Sequence, residues 1–165
     1  MKIILDTTHF LPFFGVYTNI KNHKAQLREL WDKKQSIELF ICDLTILEIR
    51  WKLLSLKRKE INETKKKNID LRFKQGIKNV ISDKQLLIKE WYAEEKSRNI
   101  AEELLRLGHK DYVDCGIAGT SVGINATLIT EDKPLSEIID LYNKFRGKEE
   151  IKYLNWDSLL SKLEL

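Results

Sequence analysis

Short apolar runs that stop abruptly at polar residues, with helix-spaced segments between them, constrain this chain more than any other feature. Residues 2–5 and 37–42 are two such runs; both are short, partly β-branched and bounded by polar residues, so both read as strands. Between them Ile20, Leu27, Leu30 and Trp31 recur at helical spacing over residues 20–31, and residues 32–36 make the turn back. Strand, helix, strand is a parallel crossover. Residues 126–129 form a third expected strand, stopped by Thr130-Glu131-Asp132, and residues 151–154 a last one. Pro134 opens a helix over 135–142, and 157–163 is a closing helix. Alternation of this kind predicts an α/β fold: a three-layer α/β/α sandwich with a parallel sheet of four or five strands, covered on both faces.

The middle of the chain departs from the alternation. After Cys42, Asp43 can cap a helix whose inner face carries Leu44, Leu47, Trp51 and Leu54. Ile69, Phe73, Ile77 and Val80 then recur at helical spacing, as do Leu87, Trp91, Ala101, Leu104 and Leu105, with a break near residues 79–83. The spacing predicts a helical hairpin insertion over about residues 55–108, standing off the sheet. Its apolar stripes exceed what one sheet face can cover, which points to a two-fold homodimer through those helices, the alternative being packing within one chain. Gly108 closes the second helix, and Asp111 caps the next, which runs to about Val122. With 165 residues, no repeat and no Pro- or Gly-rich linker, a single domain over 1–165 is expected.

Charge is divided along the chain. Residues 50–110 hold 17 Lys or Arg against 9 Asp or Glu, so the middle is basic and the remainder acidic although the net charge is only +4. A basic surface beside an acidic pocket suits a protein that collects a polyanion and acts on it. Lys57, Arg58, Lys59, Lys65, Lys66 and Lys67 are the candidate phosphate contacts; the plainer reading is the solvated face of Lys-rich helices. No apolar stretch approaches the roughly 20 residues that span a bilayer, and residues 1–6 pass straight into acidic sequence, so a cytoplasmic protein without a membrane partner is expected. Cys42 and Cys115 are too far apart for a metal knuckle and too few for a disulfide framework, and read as buried small hydrophobes.

Four acids, Asp6, Glu48, Asp114 and Asp132, each stand where an apolar run meets polar sequence. In one parallel sheet these carboxylates meet at one edge, where their mutual repulsion calls for a counter-ion. Hard divalent cations take oxygen ligands, so a carboxylate cluster without convergent His or Cys points to Mg2+ or Mn2+ and to phosphodiester chemistry. The alternative is that the acids are helix caps and strand-end solubilisers, a reading with most weight for Asp114 because Asp111 already stands at the cap position. Asp111 and Glu131 are spare carboxylates nearby. His9, close to Asp6, reads as a substrate contact or as packing, and His23 and His109 as surface or packing residues. Trp31, Trp51, Trp91 and Trp156 could stack bases, with core packing as the competing role.

Four segments, Ile4-Leu5-Asp6-Thr7-Thr8, Leu44-Thr45-Ile46-Leu47-Glu48-Ile49, the stretch 114–121 and Leu128-Ile129-Thr130-Glu131-Asp132, resemble in order the acidic motifs of PIN domains. The resemblance implies that Asp6, Glu48, Asp114 and Asp132 are the metal-binding catalytic acids, with Thr7 or Thr8 and Thr130 as hydroxyl supports. It further implies a Mg2+- or Mn2+-dependent endoribonuclease acting on RNA, either a toxin with an antitoxin protein as partner or an RNA-processing enzyme. A PIN-like module that holds RNA or protein without cutting is the alternative. The long charged insertion departs from the compact toxins, and Thr8 stands where many relatives place Asn or Ser. Other classes fit less well: Asp6-Thr7-Thr8 lacks the Asp-x-Asp pair of a common phosphatase type, and no Gly-x-Gly-x-x-Gly turn or Walker loop is present.

Overall fold

The computed structural model describes residues 1–32 and 37–164. The chain runs β1 (Lys2–Leu5), α1 (Thr7–Phe10), a 3-10 turn (Leu11–Phe14), α2 (His23–Asp32), β2 (Glu38–Cys42), α3 (Asp43–Lys59), α4 (Glu63–Ser82) and β3 (Leu86–Lys89). It continues α5 (Glu95–Arg106), α6 (Tyr112–Gly123), β4 (Thr127–Ile129), α7 (Lys133–Arg146), β5 (Tyr153–Leu154) and α8 (Trp156–Leu163). Most of the turn expected at 32–36 lies outside the described residues.

All five strands are parallel, in the order β3-β2-β1-β4-β5. The chain leaves β1 toward β2 but leaves β4 toward β5, so its direction reverses between the two central strands. Such a reversal opens a crevice at the carboxyl ends of those strands. Leu5 is in register with Ile129, so Asp6 and Thr130 leave the sheet side by side, and the Asp6 amide donates to the Ile129 carbonyl at 3.0 Å.

Side chains on a strand alternate between faces, and here the alternation builds two cores. Ile3, Leu5, Leu39, Ile41 and Ile129 point to one face, covered by α1, α2, α4, α8 and the inner side of α3. Ile4, Phe40, Cys42 and Leu128 point to the other, covered by α5, α6 and α7. Both strand faces are buried, which is why β1, β2 and β4 read as unbroken apolar runs. Both cysteines are free and buried, with their thiols pushed up to about 12 by desolvation.

Three expectations change. Residues 87–91 are not helical: Leu86–Lys89 is a strand that pairs with β2 along its open edge, and α5 begins only at Glu95. The hairpin is therefore formed by α3 and α4, and the 55–108 segment contains an edge strand as well as helices. The inward face of α3 also differs. Leu44, Thr45, Ile49 and Leu53 are buried, whereas Leu47 and Trp51 are exposed, because α3 starts beneath one core and ends against the other. Finally, Ile69, Phe73, Ile77 and Val80 pack on the first core within the chain, so that stripe does not call for a second copy.

Helix α6 lies unusually close to its neighbours. A Cβ at Gly119 would stand 2.2 Å from the Ser97 carbonyl oxygen of α5, and one at Gly116 would stand 2.3 Å from a Leu44 methyl of α3. At Gly119, where the neighbour is backbone, only glycine permits this approach, and it seats the helix that carries Asp114 against α5; at Gly116 the Leu44 side chain would have to move.

Candidate metal centre

Each acid reaches the crevice by a different local device. Asp6 follows β1 directly, so the strand end aims it; it is 5% exposed. Glu48 lies in the second turn of α3, the helix that leaves β2. Asp114 lies in the first turn of α6, whose N-terminus is capped by Asp111 accepting from the Val113 amide at 2.9 Å and the Asp114 amide at 3.4 Å. Carboxylate oxygens of Asp6, Glu48 and Asp114 lie within 4.8 Å of one another, a separation at which one ion could be shared.

Asp132 is placed differently. Its Oδ1 accepts from the Leu135 amide at 2.6 Å and caps α7, and among the described residues it does not join the three grouped acids. Its charge is nevertheless felt at Asp114. Thr130 ties the two: its hydroxyl donates to Asp6 Oδ2 at 2.9 Å and accepts from the Asp132 amide at 3.1 Å. Thr7 is buried with no hydrogen bond for its hydroxyl, and Thr8 is half-buried on the wall of a neighbouring pocket. Glu131 is turned away, accepting from the Trp156 amide at 2.6 Å and so fastening α8.

Burial first, and crowding of like charge second, raise the carboxyls of the cluster. Burial pushes Asp6 up to about 6, against the opposing Thr130 hydrogen bond and with Glu48 adding repulsion. Asp114 is pushed up to about 8 by desolvation and then by Asp6, Asp111, Glu48 and Asp132. Oε2 of Glu48 is buried without a hydrogen-bond partner, while its Oε1 pairs with Lys52 one turn along α3. Two raised carboxyls and an orphaned buried carboxylate oxygen, all hard oxygen donors, fit a divalent cation.

Lys52 and His109 were missed from the sequence. Lys52 follows Glu48 by four residues, a spacing that brings helix side chains together and could have flagged it. His109 Nε2 stands 3.4 Å from Asp114 Oδ2 with no spacing signal to announce it. His9 is buried rather than turned to the crevice; it stacks on Trp156 with ring centroids 4.8 Å apart and contacts His23 at 3.1 Å. Desolvation lowers His9 to about 3 and His23 to about 4, so both are neutral packing groups. Trp156 is core, Trp31 and Trp91 are half-buried, and Trp51 is 55% exposed.

Of the basic candidates, Lys57 pairs with Asp70 at 2.5 Å, Lys66 with Glu63 at 2.6 Å and Lys65 with Glu60 at 4.0 Å. Arg58, Lys59 and Lys67 are exposed at the same far end of the hairpin.

A parallel sheet with carboxylates converging at its switch point defines a class of small α/β proteins with an acidic metal-binding crevice. A family model of the PIN domain matches residues 3–141, and the chain belongs to the PIN domain family. In fold it is similar to VapBC2 from Rickettsia felis, solved bound to a DNA fragment from their promoter, with TM-score 0.58 and 18% identity over 94% of this chain and 99% of that one. FitAcB from Neisseria gonorrhoeae is similar at TM-score 0.59 and 17% identity, covering 93% and 96%. So is VapC20 from Mycobacterium tuberculosis, a sarcin-ricin loop cleaving toxin, at TM-score 0.51 and 16% identity, covering 82% and 93%. No curated protein matches the sequence. No helix among the described residues is long and apolar enough to cross a membrane.

Proposed function

We propose that this PIN domain is a Mg2+- or Mn2+-dependent endoribonuclease whose metal is held by Asp6, Glu48 and Asp114. The observation that carries the reading is the approach of their carboxylate oxygens to within 4.8 Å at the switch point. When bound, a divalent ion there lowers the pKa of a water and neutralises charge on the phosphate oxygens.

The side chains divide the remaining work. Thr130 fixes Asp6 through Oδ2, which leaves Oδ1 for the cation. Lys52 holds Glu48 by one oxygen and offsets part of the cluster's charge. Asp132 acts from a distance, as a fixed negative charge and as the cap that stiffens the start of α7. His9, fully buried against Trp156 and His23, is given no part in activating the attacking water. Lys57, Arg58, Lys59, Lys65, Lys66 and Lys67 are proposed as a remote basic surface that attracts RNA rather than as groups that grip it, since three of them already have carboxylate partners.

VapC20 is a sarcin-ricin loop cleaving toxin. On that likeness we add an antitoxin protein as the proposed partner. Self-association is a further part of the proposal, through the exposed Leu47 and Trp51 of α3.

The test is incubation of the purified protein with mixed-sequence RNA in Mg2+, in Mn2+ or in EDTA. Fragments with either metal and intact RNA in EDTA are expected. RNA left intact in all three removes the nuclease reading, and retention of RNA without cutting, unaffected by EDTA, replaces it with a binding module.

A further inference from the structure

Two pockets share the loop of residues 15–22, and they differ in chemistry. The first, of about 770 Å³, is lined in part by Thr8 and Glu131, which belong to the segments that follow β1 and β4 at the carboxyl edge of the sheet. The rest of its polar lining is mainly amide and carboxylate: Asn19, Asn22, Gln26 and Asp157, with Lys21 as the one cation. Its floor is rigid, since Trp156 is held there by its indole N–H donating to Gln26 at 2.9 Å and its amide donating to Glu131 at 2.6 Å. The second pocket, of about 630 Å³, lies across the 15–22 loop and carries Lys24, Arg28 and Arg72 with no carboxylate among its lining. Tyr17, Thr18, Ile20 and Asn22 line both, so the loop is a ridge between them. Tyr17, on that ridge, is 99% exposed.

An apolar aromatic ring left in water at the junction of an amide-lined pocket and a cationic one matches the parts of a nucleotide strand. Amide and carboxylate groups read base edges, guanidinium groups take phosphates, and an exposed ring stacks a base. The arrangement also starts at the sheet edge that bears the acids: Thr8 borders the first pocket and follows Asp6 by two residues.

We infer that the 15–22 loop and its two flanking pockets bind the single-stranded RNA segment next to the scissile phosphate. One nucleobase occupies the Thr8–Asn22–Gln26 pocket, Tyr17 stacks on its neighbour, and Arg28 and Arg72 hold the phosphates beyond. The inference rests on the proposed nuclease reading for its substrate class, but it concerns residues that the metal does not touch. It also separates grip from attraction, because the hairpin lysines lie where α3 ends and α4 begins and line neither pocket.

The test uses a fluorescein-labelled, mixed-sequence single-stranded RNA of about a dozen nucleotides, with binding read by anisotropy in EDTA so that no cutting intervenes. Tyr17→Ala is expected to weaken binding about tenfold, the loss of one base-aromatic stack. Arg28→Gln with Arg72→Gln is expected to weaken it similarly and to lower the salt slope by about 1.4, two phosphate contacts on a single strand. Thermal melts confirm that the variants fold. Both sets binding like wild type, in affinity and slope, overturns the track even where wild-type protein cuts RNA with Mg2+. Loss of binding in these variants, in a protein that never cuts, keeps the track and overturns the nuclease. A wild-type protein that neither binds nor cuts RNA overturns both.

Discussion

The crevice and the hairpin hold charge in opposite ways. Along α3 and α4 the charges are settled locally: Lys57 and Arg50 share Asp70, Lys66 has Glu63, and Lys65 has Glu60. In the crevice Asp6, Glu48 and Asp114 crowd together with Asp132 close by, and among the described residues Lys52 is the one lysine or arginine paired with the group, with His109 beside Asp114. Pairs exposed to water are screened and add little, so the hairpin's charges can change at small cost. Buried like charges cannot be screened, so they hold protons or recruit a cation. The region with fewer counter-charges is the one set up to bind something.

The largest break in that contrast comes from removing one crowded carboxylate. Asp6→Asn or Asp114→Asn is expected to lower metal-dependent RNA cleavage by about a thousandfold, the several kcal/mol that a metal contributes to such a step. Melts of the same variants should show the opposite sign. Asp6 and Asp114 have folded pKa values raised above 3.8, so the metal-free protein loses stability as pH rises from about 4 through about 6 for Asp6 and about 8 for Asp114. At pH 8 each Asn variant should therefore melt a few degrees above wild type, and a lower melting point at that pH contradicts the repulsion.

Metal affinity gives the next effect. Because Asp114 and then Asp6 must shed protons to bind a cation, Mn2+ affinity by calorimetry should fall about sixfold between pH 8 and pH 7 and more steeply near 6. An affinity flat across that range would show that the cluster is already ionised without metal.

A smaller effect is expected on the hairpin. Changing Lys57, Arg58, Lys59, Lys65, Lys66 and Lys67 to Gln together should weaken RNA binding by about threefold at 0.15 M salt, where screening beyond 8 Å is strong, with single-turnover cleavage unchanged at saturating RNA. A loss larger than that of the Arg28 and Arg72 double variant would reverse the order of the two surfaces.

The smallest effect is Asp70→Asn, which frees Lys57 and Arg50 at once. A change in melting temperature of no more than about 2 °C is expected, because about a third of each partner is open to solvent and the pairing is partly screened.

Much of the sheet was legible because β1, β2 and β4 are bounded apolar runs buried on both faces, and the acids that follow them could be placed at one edge before any contact was known. β3 was not. Leu86-Leu87-Ile88 is too short to be told from part of a helix, and Leu87 and Trp91 happen to lie four apart, so the edge strand emerges only when β2 needs a neighbour. The face of α3 was ambiguous for a related reason: residues 44–54 carry apolar side chains on two stripes, and the packing between two cores chooses Leu44, Ile49 and Leu53. For Asp132, a cap and a ligand look alike in sequence, both an acid ahead of a helix opened by Pro134. The 15–22 loop left no motif, because Tyr17, Arg28 and Arg72 become neighbours only through folding.

The central position of β1 also governs when the crevice exists during synthesis. Asp6 emerges first, yet its partners arrive with α3, with α6 and, through Thr130, with the end of β4. At about 5 to 20 residues per second, roughly 5 to 20 s separate Asp6 from Asp114 on the ribosome. Throughout that interval one side of β1 has no strand to pair with, and the carboxylates are not yet grouped. A growing chain therefore carries only separate acids, and whatever chemistry the cluster performs is withheld until the segment through Thr130 has been made.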